Sequence, residues 1–372
     1  MTRKKSQTVL IHMRNLLFII VGILCIPACK KAVTPIPGTD TATLYFPATG
    51  SSNWETTSPS SLGWNETGLN DVYTYLQQKN TKAFIILKKG KIVAEKYFGT
   101  FTADSNWYWA SAGKTMTAFL VGIAQEQGKL NINNKTSQYL GTGWTSLPLE
   151  KENLITVKHQ LTMTSGLNDG VADVDCTLPA CLQYKADAGS RWAYHNAAYT
   201  LLDKVVENAT NTSYNTYFQQ KIRDRIGMNG VWMRVGYNNV YFSTARSMAR
   251  FGLLMLAKGK WDEIKVLADS NYINTQINST QSLNPSYGYL TWLNGKGFYM
   301  MPTVQFLFTG NLVPNAPADT YAALGKNDQK IYVVPSQQLV VIRMGESAGQ
   351  TQLAVSSFDN ELWGKLKAAA VF

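Results

Sequence analysis

Trp107-Tyr108-Trp109-Ala110-Ser111-Ala112-Gly113-Lys114-Thr115-Met116 is the stretch on which the fold assignment turns. An aromatic run gives way to a helical pattern, with Met116, Phe119, Leu120 and Ile123 on one face and Gly128 placed to end it. Ser111 and Lys114 are three positions apart, a spacing that brings side chains onto one helix face, so the hydroxyl and the amine can touch. The hydroxyl also sits at a helix N-terminus, where the dipole favours developing negative charge. Serine is a poor nucleophile until a base takes its proton. Lys114 can do this only if burial or cationic neighbours lower its pKa from about 10.4 toward neutrality. Taken singly, S-x-x-K is weak evidence, because a helix-opening serine followed by an exposed lysine is common. Gly113-Lys114-Thr115 also suggests a phosphate-binding loop, but that motif needs glycine where Tyr108 stands.

Outward from this stretch, strand patterns occupy both ends of the chain. Ala83–Leu87 and Ile92–Ala94 flank Lys89-Gly90 as a β-hairpin, and Lys330–Val334 and Leu339–Arg343 bracket Pro335-Ser336-Gln337-Gln338 as a second. Before the first hairpin, Asn70 or Asp71 can cap a short helix carrying Val72, Tyr73, Tyr75 and Leu76. The middle, from Thr115 to Gly259, is dominated by helical patterns, among them Ala198–Val206 and Ser243–Leu256, and Leu353–Ala369 reads as a closing helix. The expected fold is therefore α/β of the α+β kind: an antiparallel sheet built from both chain ends, flanked by helices, with a mostly helical lobe inserted.

About eighty residues after Ser111 comes Gly189-Ser190-Arg191-Trp192-Ala193-Tyr194-His195-Asn196. On its own, Tyr194 with Asn196 is compatible with a satisfied surface turn. Together with S-x-x-K, however, Y-x-N resembles the serine β-lactamase and D-alanyl-D-alanine peptidase superfamily, in particular its class C β-lactamase and esterase-like branch. His159–Leu167, Ser243–Phe251 and Tyr287-Gly288-Tyr289 fit the same pattern, and the resemblance runs from about Ala83 to Gly345. It implies that Ser111 forms an acyl-enzyme while Lys114 and Tyr194 share the proton transfers, with Asn196 bonding substrate or orienting Lys114. The physical expectation for Tyr194 is that two nearby ammonium groups push its phenol toward phenolate, a base for the deacylating water.

The family's third element, a strand bearing K-T-G or H-x-G, is replaced here by Gly325-Lys326-Asn327-Asp328-Gln329. Lys326 keeps a cation, but Asp328 stands where glycine is usual. The resemblance implies that the Gln329 amide completes an oxyanion hole with the Ser111 amide. A carboxylate at 328 would repel a substrate carboxylate, which favours an ester or uncharged amide over a β-lactam or peptidoglycan stem. The alternatives are a β-lactamase or D-amino acid peptidase, and a catalytically weak envelope protein that binds through the same cleft.

Other chemistries lack their signatures. Only His12, His159 and His195 occur, and there is no G-x-S-x-G elbow. His159 is expected to start a structural helix and His195 to point away from a cleft faced by Tyr194 and Asn196. With no H-E-x-x-H and no acidic cluster, no metal and no cofactor are expected.

The net charge of +11 includes Arg3, Lys4, Lys5 and Arg14 in a cationic leader, without which it is +7. The remaining cations are scattered, unlike a nucleic-acid groove, so no nucleic-acid partner is expected; the resemblance implies a small-molecule ester or amide as partner, and a monomer is the expected state. The apolar run Leu16–Pro27 ends at Ala28-Cys29, resembling a lipoprotein cleavage site. This predicts residues 1–29 as a signal peptide, Cys29 as the lipid-attachment residue and a periplasmic or cell-surface protein anchored to the membrane; the alternative is an uncleaved anchor that tethers the protein through a helix. Residues 30–61 read as a flexible tether and 62–372 as the hydrolase domain. Cys176 and Cys181, which enclose four residues including Pro179, either form a short-range disulfide or remain free thiols.

Overall fold

In the computed structural model, residues 43–349 and 355–370 are described. The leader, Cys29 and the first part of the tether lie outside them, as do Leu353 and Ala354 of the expected closing helix.

The sheet is assembled from the two ends of the chain. Helix α1 (Glu66–Gln78) leads into the hairpin β1 (Thr81–Lys88) and β2 (Lys91–Tyr97), and helix α2 (Gly113–Glu126) then enters the helical lobe. Helix α3 (Ala245–Leu256) leads back toward the sheet strands β3 (Trp292–Leu293), β4 (Tyr321–Gly325), β5 (Gln329–Val334) and β6 (Leu339–Gly345), and α4 (Ser357–Ala369) follows. The strand order is β2-β1-β6-β5-β4-β3, antiparallel throughout. The N- and C-terminal hairpins meet in the middle through β1 and β6, with Ile85 opposite Ile342.

The strands are buried on both faces because helices cover both. Along β5 the side chains alternate: Ile331 faces α3, where a Cβ on Gly252 would lie 3.1 Å from it, while Lys330 and Tyr332 reach Asp359 on α4. Helices α1 and α4 pack against each other, with Tyr75 stacked on Phe358 at 5.9 Å and bonded to Glu361 at 2.8 Å.

Three expectations need correction. The cap of helix α1 lies five or six residues earlier than Asn70 or Asp71, because Asn65 caps it by accepting from the Gly68 amide at 3.1 Å. The pattern Ala198–Val206 breaks into two helices, Asn196–Thr200 and Leu202–Thr210. The lobe also contains a three-stranded sheet of Trp107–Tyr108, Asn238–Ser243 and Val231–Val235. This sheet was hidden because Val231, Met233 and Val235 expose their apolar side chains.

The described part of the tether, 43–61, is docked rather than free. Trp54 is buried and donates to the Gly90 carbonyl at 2.7 Å, and the Tyr45 amide donates to Lys89 at 3.0 Å. The buried Arg250 guanidinium donates to the carbonyls of Pro47, Ala48 and Ser51, which replace its lost water. A segment rich in Thr, Ser and Pro thus binds through its few aromatics and its backbone.

Candidate active site

Ser111 lies in a single 3-10 turn, Ala110–Ala112, that runs directly into α2. Ala110 before it is held in the left-handed region at φ 47°, a conformation maintained by its surroundings. Those surroundings are rigid. The Trp109 amide donates to the Tyr241 carbonyl at 2.8 Å, and its buried indole donates to Ser243 Oγ at 2.8 Å. Behind the turn, Gly113 faces Trp232, whose ring lies 3.0 Å from where a Cβ would be.

Lys114 Nζ donates to Ser111 Oγ at 3.0 Å. The amine is buried, 4.0 Å from the ring centroid of Tyr199 and 5.3 Å from that of Tyr194. Desolvation brings its pKa down to about 7, and the carboxylate of Asp175 acts in the opposite direction. A lysine in this state is neutral in much of the population at physiological pH.

The Tyr194 phenol is buried near the Ser111 side chain, and its pKa is raised above that of ordinary tyrosine, chiefly by burial, which outweighs the lowering effect of Ser111. The expected phenolate is therefore overturned. One amine, Lys114, stands beside this ring and has its own pKa lowered by burial, while the side chain of Lys326 is exposed. Tyr194 is stacked on Trp292 at 5.8 Å and packs edge-on against Tyr287 at 6.2 Å.

The segments that resembled family motifs brace this constellation. The Ala193 amide donates to the Met163 carbonyl at 2.9 Å, so the His159–Leu167 segment supports the backbone beside Tyr194. Gly166 is required there: at φ 78°, its Cβ would lie 2.2 Å from the Ala186 carbonyl oxygen. His159 belongs to a capping box with Thr156, the structural role expected of it. His195 is 2% exposed, and burial lowers its pKa to about 4. Thr115 Oγ1 donates to the Leu290 carbonyl at 2.7 Å, tying α2 to the Tyr287–Trp292 segment.

Asn196 is held by Asp175: its Nδ2 donates to Oδ1 at 2.8 Å, while its own Oδ1 is buried without a partner. Asp175 adjoins Cys176, which is joined to Cys181 in a disulfide with a Cα–Cα separation of 5.9 Å.

The edge beside the nucleophile differs from the expectation. Strand β3 pairs with Tyr321 and Ala322, leaving the last part of β4 to approach the Ser111 turn. At Gly325 a Cβ would lie 2.5 Å from the Trp109 carbonyl oxygen and 3.0 Å from the Ala112 amide nitrogen. The glycine demanded by close approach is therefore Gly325, three residues before the position assigned to it. Asp328 is turned inward, 1% exposed, accepting from Ser356 Oγ at 2.7 Å and the Ala348 amide at 2.9 Å, with Lys330 at 3.2 Å. Burial opposes its charge, but Lys330 and these donors prevail and hold its pKa below the usual range. Its expected repulsion of a substrate carboxylate is withdrawn for that reason. Gln329 is likewise fully buried, its side chain bonded to the Gly345 carbonyl at 2.6 Å and the Gly345 amide at 3.1 Å, one strand away from the open edge.

Sequence reading missed Asp175, Tyr199 and Gly325. Gly325 could have been recognised as the glycine ending the run Tyr321–Leu324; the other two carry no local signal.

The family profile described as Beta-lactamase matches residues 74–360. Teichoic acid D-alanine hydrolase of Staphylococcus aureus is 24% identical over 255 residues, which span 60% of this chain and 64% of that protein. Among solved structures, a penicillin-binding protein homologue from Caulobacter crescentus superposes with a TM-score of 0.61 at 13% identity, covering 82% of this chain and 99% of that one. A penicillin-binding protein from Bacillus halodurans gives 0.57 at 16% identity, covering 80% and 99%. With antiparallel sheet, flanking helices and a profile spanning most of its length, the chain belongs to the beta-lactamase family, and it shares its fold with these penicillin-binding proteins.

Proposed function

We propose that the protein hydrolyses an ester or amide through an acyl-enzyme on Ser111. The observation that carries this reading is a serine hydroxyl 3.0 Å from a buried amine whose pKa is brought to about 7. A base poised near the working pH combines availability with proton affinity.

In acylation, Ser111 Oγ bonds to the substrate carbonyl carbon as its proton passes to neutral Lys114 Nζ, and the carbonyl electron pair moves onto oxygen. The Ser111 amide and the Lys326 amide, which follows Gly325 on the open edge of β4, are the donors assigned to that oxyanion. Collapse restores the carbonyl and breaks the bond to the leaving group. That group takes a proton from the Tyr194 phenol, which is replenished from the Lys114 ammonium. A phenol kept protonated by burial suits this relay better than a phenolate. Water then attacks the acyl carbon, giving its proton back along the same path, and Ser111 leaves protonated.

Support for an ester or amide comes from the relative named as a D-alanine hydrolase of teichoic acid. Because Asp328 is turned inward, substrates bearing a carboxylate, β-lactams included, stay within the range to be tested. Export and anchoring through Cys29 belong to the same proposal. The test is mass spectrometry of protein treated with a fluorophosphonate, a panel of D-aminoacyl esters and a β-lactam. An adduct on Ser111, lost in Ser111→Ala, is expected; a folded protein that no acylating probe modifies defeats the reading and favours a binding role.

A further inference from the structure

Residues 174–176 dock on the helix that begins at Asn196. The Ala197 amide donates to the Val174 carbonyl at 3.3 Å, and Asn196 Nδ2 donates to Asp175 Oδ1 at 2.8 Å. The next residue, Cys176, is 3% exposed and closed by disulfide onto Cys181. The loop is further tied down where the Asn168 amide donates to the Gln183 carbonyl at 2.8 Å and Leu167 bridges to Tyr184. A short disulfide ring thus ends at the carboxylate that meets Asn196.

We propose that Asp175 is a positioning residue of this site, clamped by the Cys176–Cys181 disulfide so that its carboxylate holds Asn196 in place and sets the electrostatic surroundings of Lys114. The inference rests on the hydrolase reading only for its catalytic consequence.

Around the Lys114 amine, Asp175 is the charge that opposes desolvation. Its own segment contributes the Ser111 hydroxyl, and the Tyr194 and Tyr199 rings cover it. Both tyrosines are kept protonated by burial, as is Tyr287 beside Tyr194. Asp203 is buried and paired with Arg234. Asp169, paired with Arg191 at 2.7 Å, acts on His195. The charged group that acts on Lys114 itself is Asp175, which favours the ammonium against desolvation. Moving this loop therefore changes both the orientation of Asn196 and the fraction of Lys114 able to accept a proton.

The test reads Lys114 directly, by NMR titration of the ε-CH₂ groups of ¹³C-lysine-labelled protein, with the Lys114 signal assigned from Lys114→Met. Asp175→Asn removes the charge but retains an oxygen that can accept from Asn196. It is expected to lower the Lys114 midpoint by at least about half a unit, a cautious fraction of what an adjacent opposite charge exerts. Asp175→Glu restores the wild-type midpoint. Cys176→Ser with Cys181→Ser, which frees the loop while leaving the carboxylate, lowers the midpoint in the same direction. The rising limb of the fluorophosphonate labelling rate with pH moves with these midpoints. An unchanged midpoint in Asp175→Asn overturns the proposal, and an unchanged midpoint in the double serine variant overturns the role of the disulfide. Absence of any adduct in the wild type defeats the hydrolase reading, while the lysine titration still decides this one.

Discussion

Lys114 is a side chain that the fold works against. It is buried between two tyrosine rings with its pKa lowered to about 7, and desolvation is the leading cause. In the unfolded chain a lysine keeps its proton to about 10.4. Between those values the unfolded state binds more protons than the folded one, so this residue's contribution to stability improves as pH rises from 7 toward 10 and is most unfavourable below 7. Lys114→Met is therefore expected to abolish Ser111 labelling by roughly 10³-fold or more. It should also be more stable than wild type at pH 6, by an amount on the order of a few kcal/mol that shrinks toward pH 10. Urea denaturation at the two pH values checks this, and a pH-independent difference would argue that the amine is solvated. The pairing of Ser111 with Lys114 was legible from their three-residue spacing. The state of Tyr194 was not, because it depends on Trp292 and Tyr287, about a hundred residues away.

At the scale of elements, the strand hairpins were legible because apolar β-branched runs flanked turn residues, Lys89-Gly90 in one case and Pro335–Gln338 in the other. Caps were less so: several Asn and Asp residues compete near α1, and Asn65 is selected by a tertiary bond, its amide donating to the Ala369 carbonyl at 2.9 Å. The junction of β4 with the Ser111 turn is where two elements meet most closely. Gly325→Ala would push a Cβ against the Trp109 carbonyl and the Ala112 amide, both backbone groups that cannot swing aside. The expected outcome is a loss of Ser111 labelling of at least about 10²-fold, the scale associated with a displaced oxyanion donor, with far-ultraviolet circular dichroism unchanged. Labelling at the wild-type rate would remove the β4 edge from the proposed mechanism.

Across the whole molecule, the C-terminal strands and the closing helix are locked together by a buried polar network rather than by apolar packing alone. Lys330 Nζ lies 2.9 Å from Asp359 Oδ2 and 3.2 Å from Asp328 Oδ1, and Tyr332 donates to Asp359. Asp359 also caps α4 by accepting from the Ser356 amide at 2.8 Å. Asp359→Ala takes from buried Lys330 one of its two carboxylates and from Tyr332 and the Ser356 amide their acceptor, so it is expected to cost about 3–5 kcal/mol, read from the midpoint of denaturant unfolding. A cost under about 1 kcal/mol would mean that water reaches Lys330.

From the order of its residues alone, this chain determines an antiparallel sheet drawn from both ends, a helical insertion, and a Ser-x-x-Lys followed by Tyr-x-Asn, because periodicity and short spacing are local properties of a polymer. Only the tertiary structure decided the charge states and orientations that give those residues their chemistry: an amine of lowered pKa at Lys114, a protonated phenol at Tyr194, an inward carboxylate at Asp328 and a clamped one at Asp175. The reason is that desolvation and ion pairing depend on which distant segments pack around a group, and spacing along the chain does not carry that information.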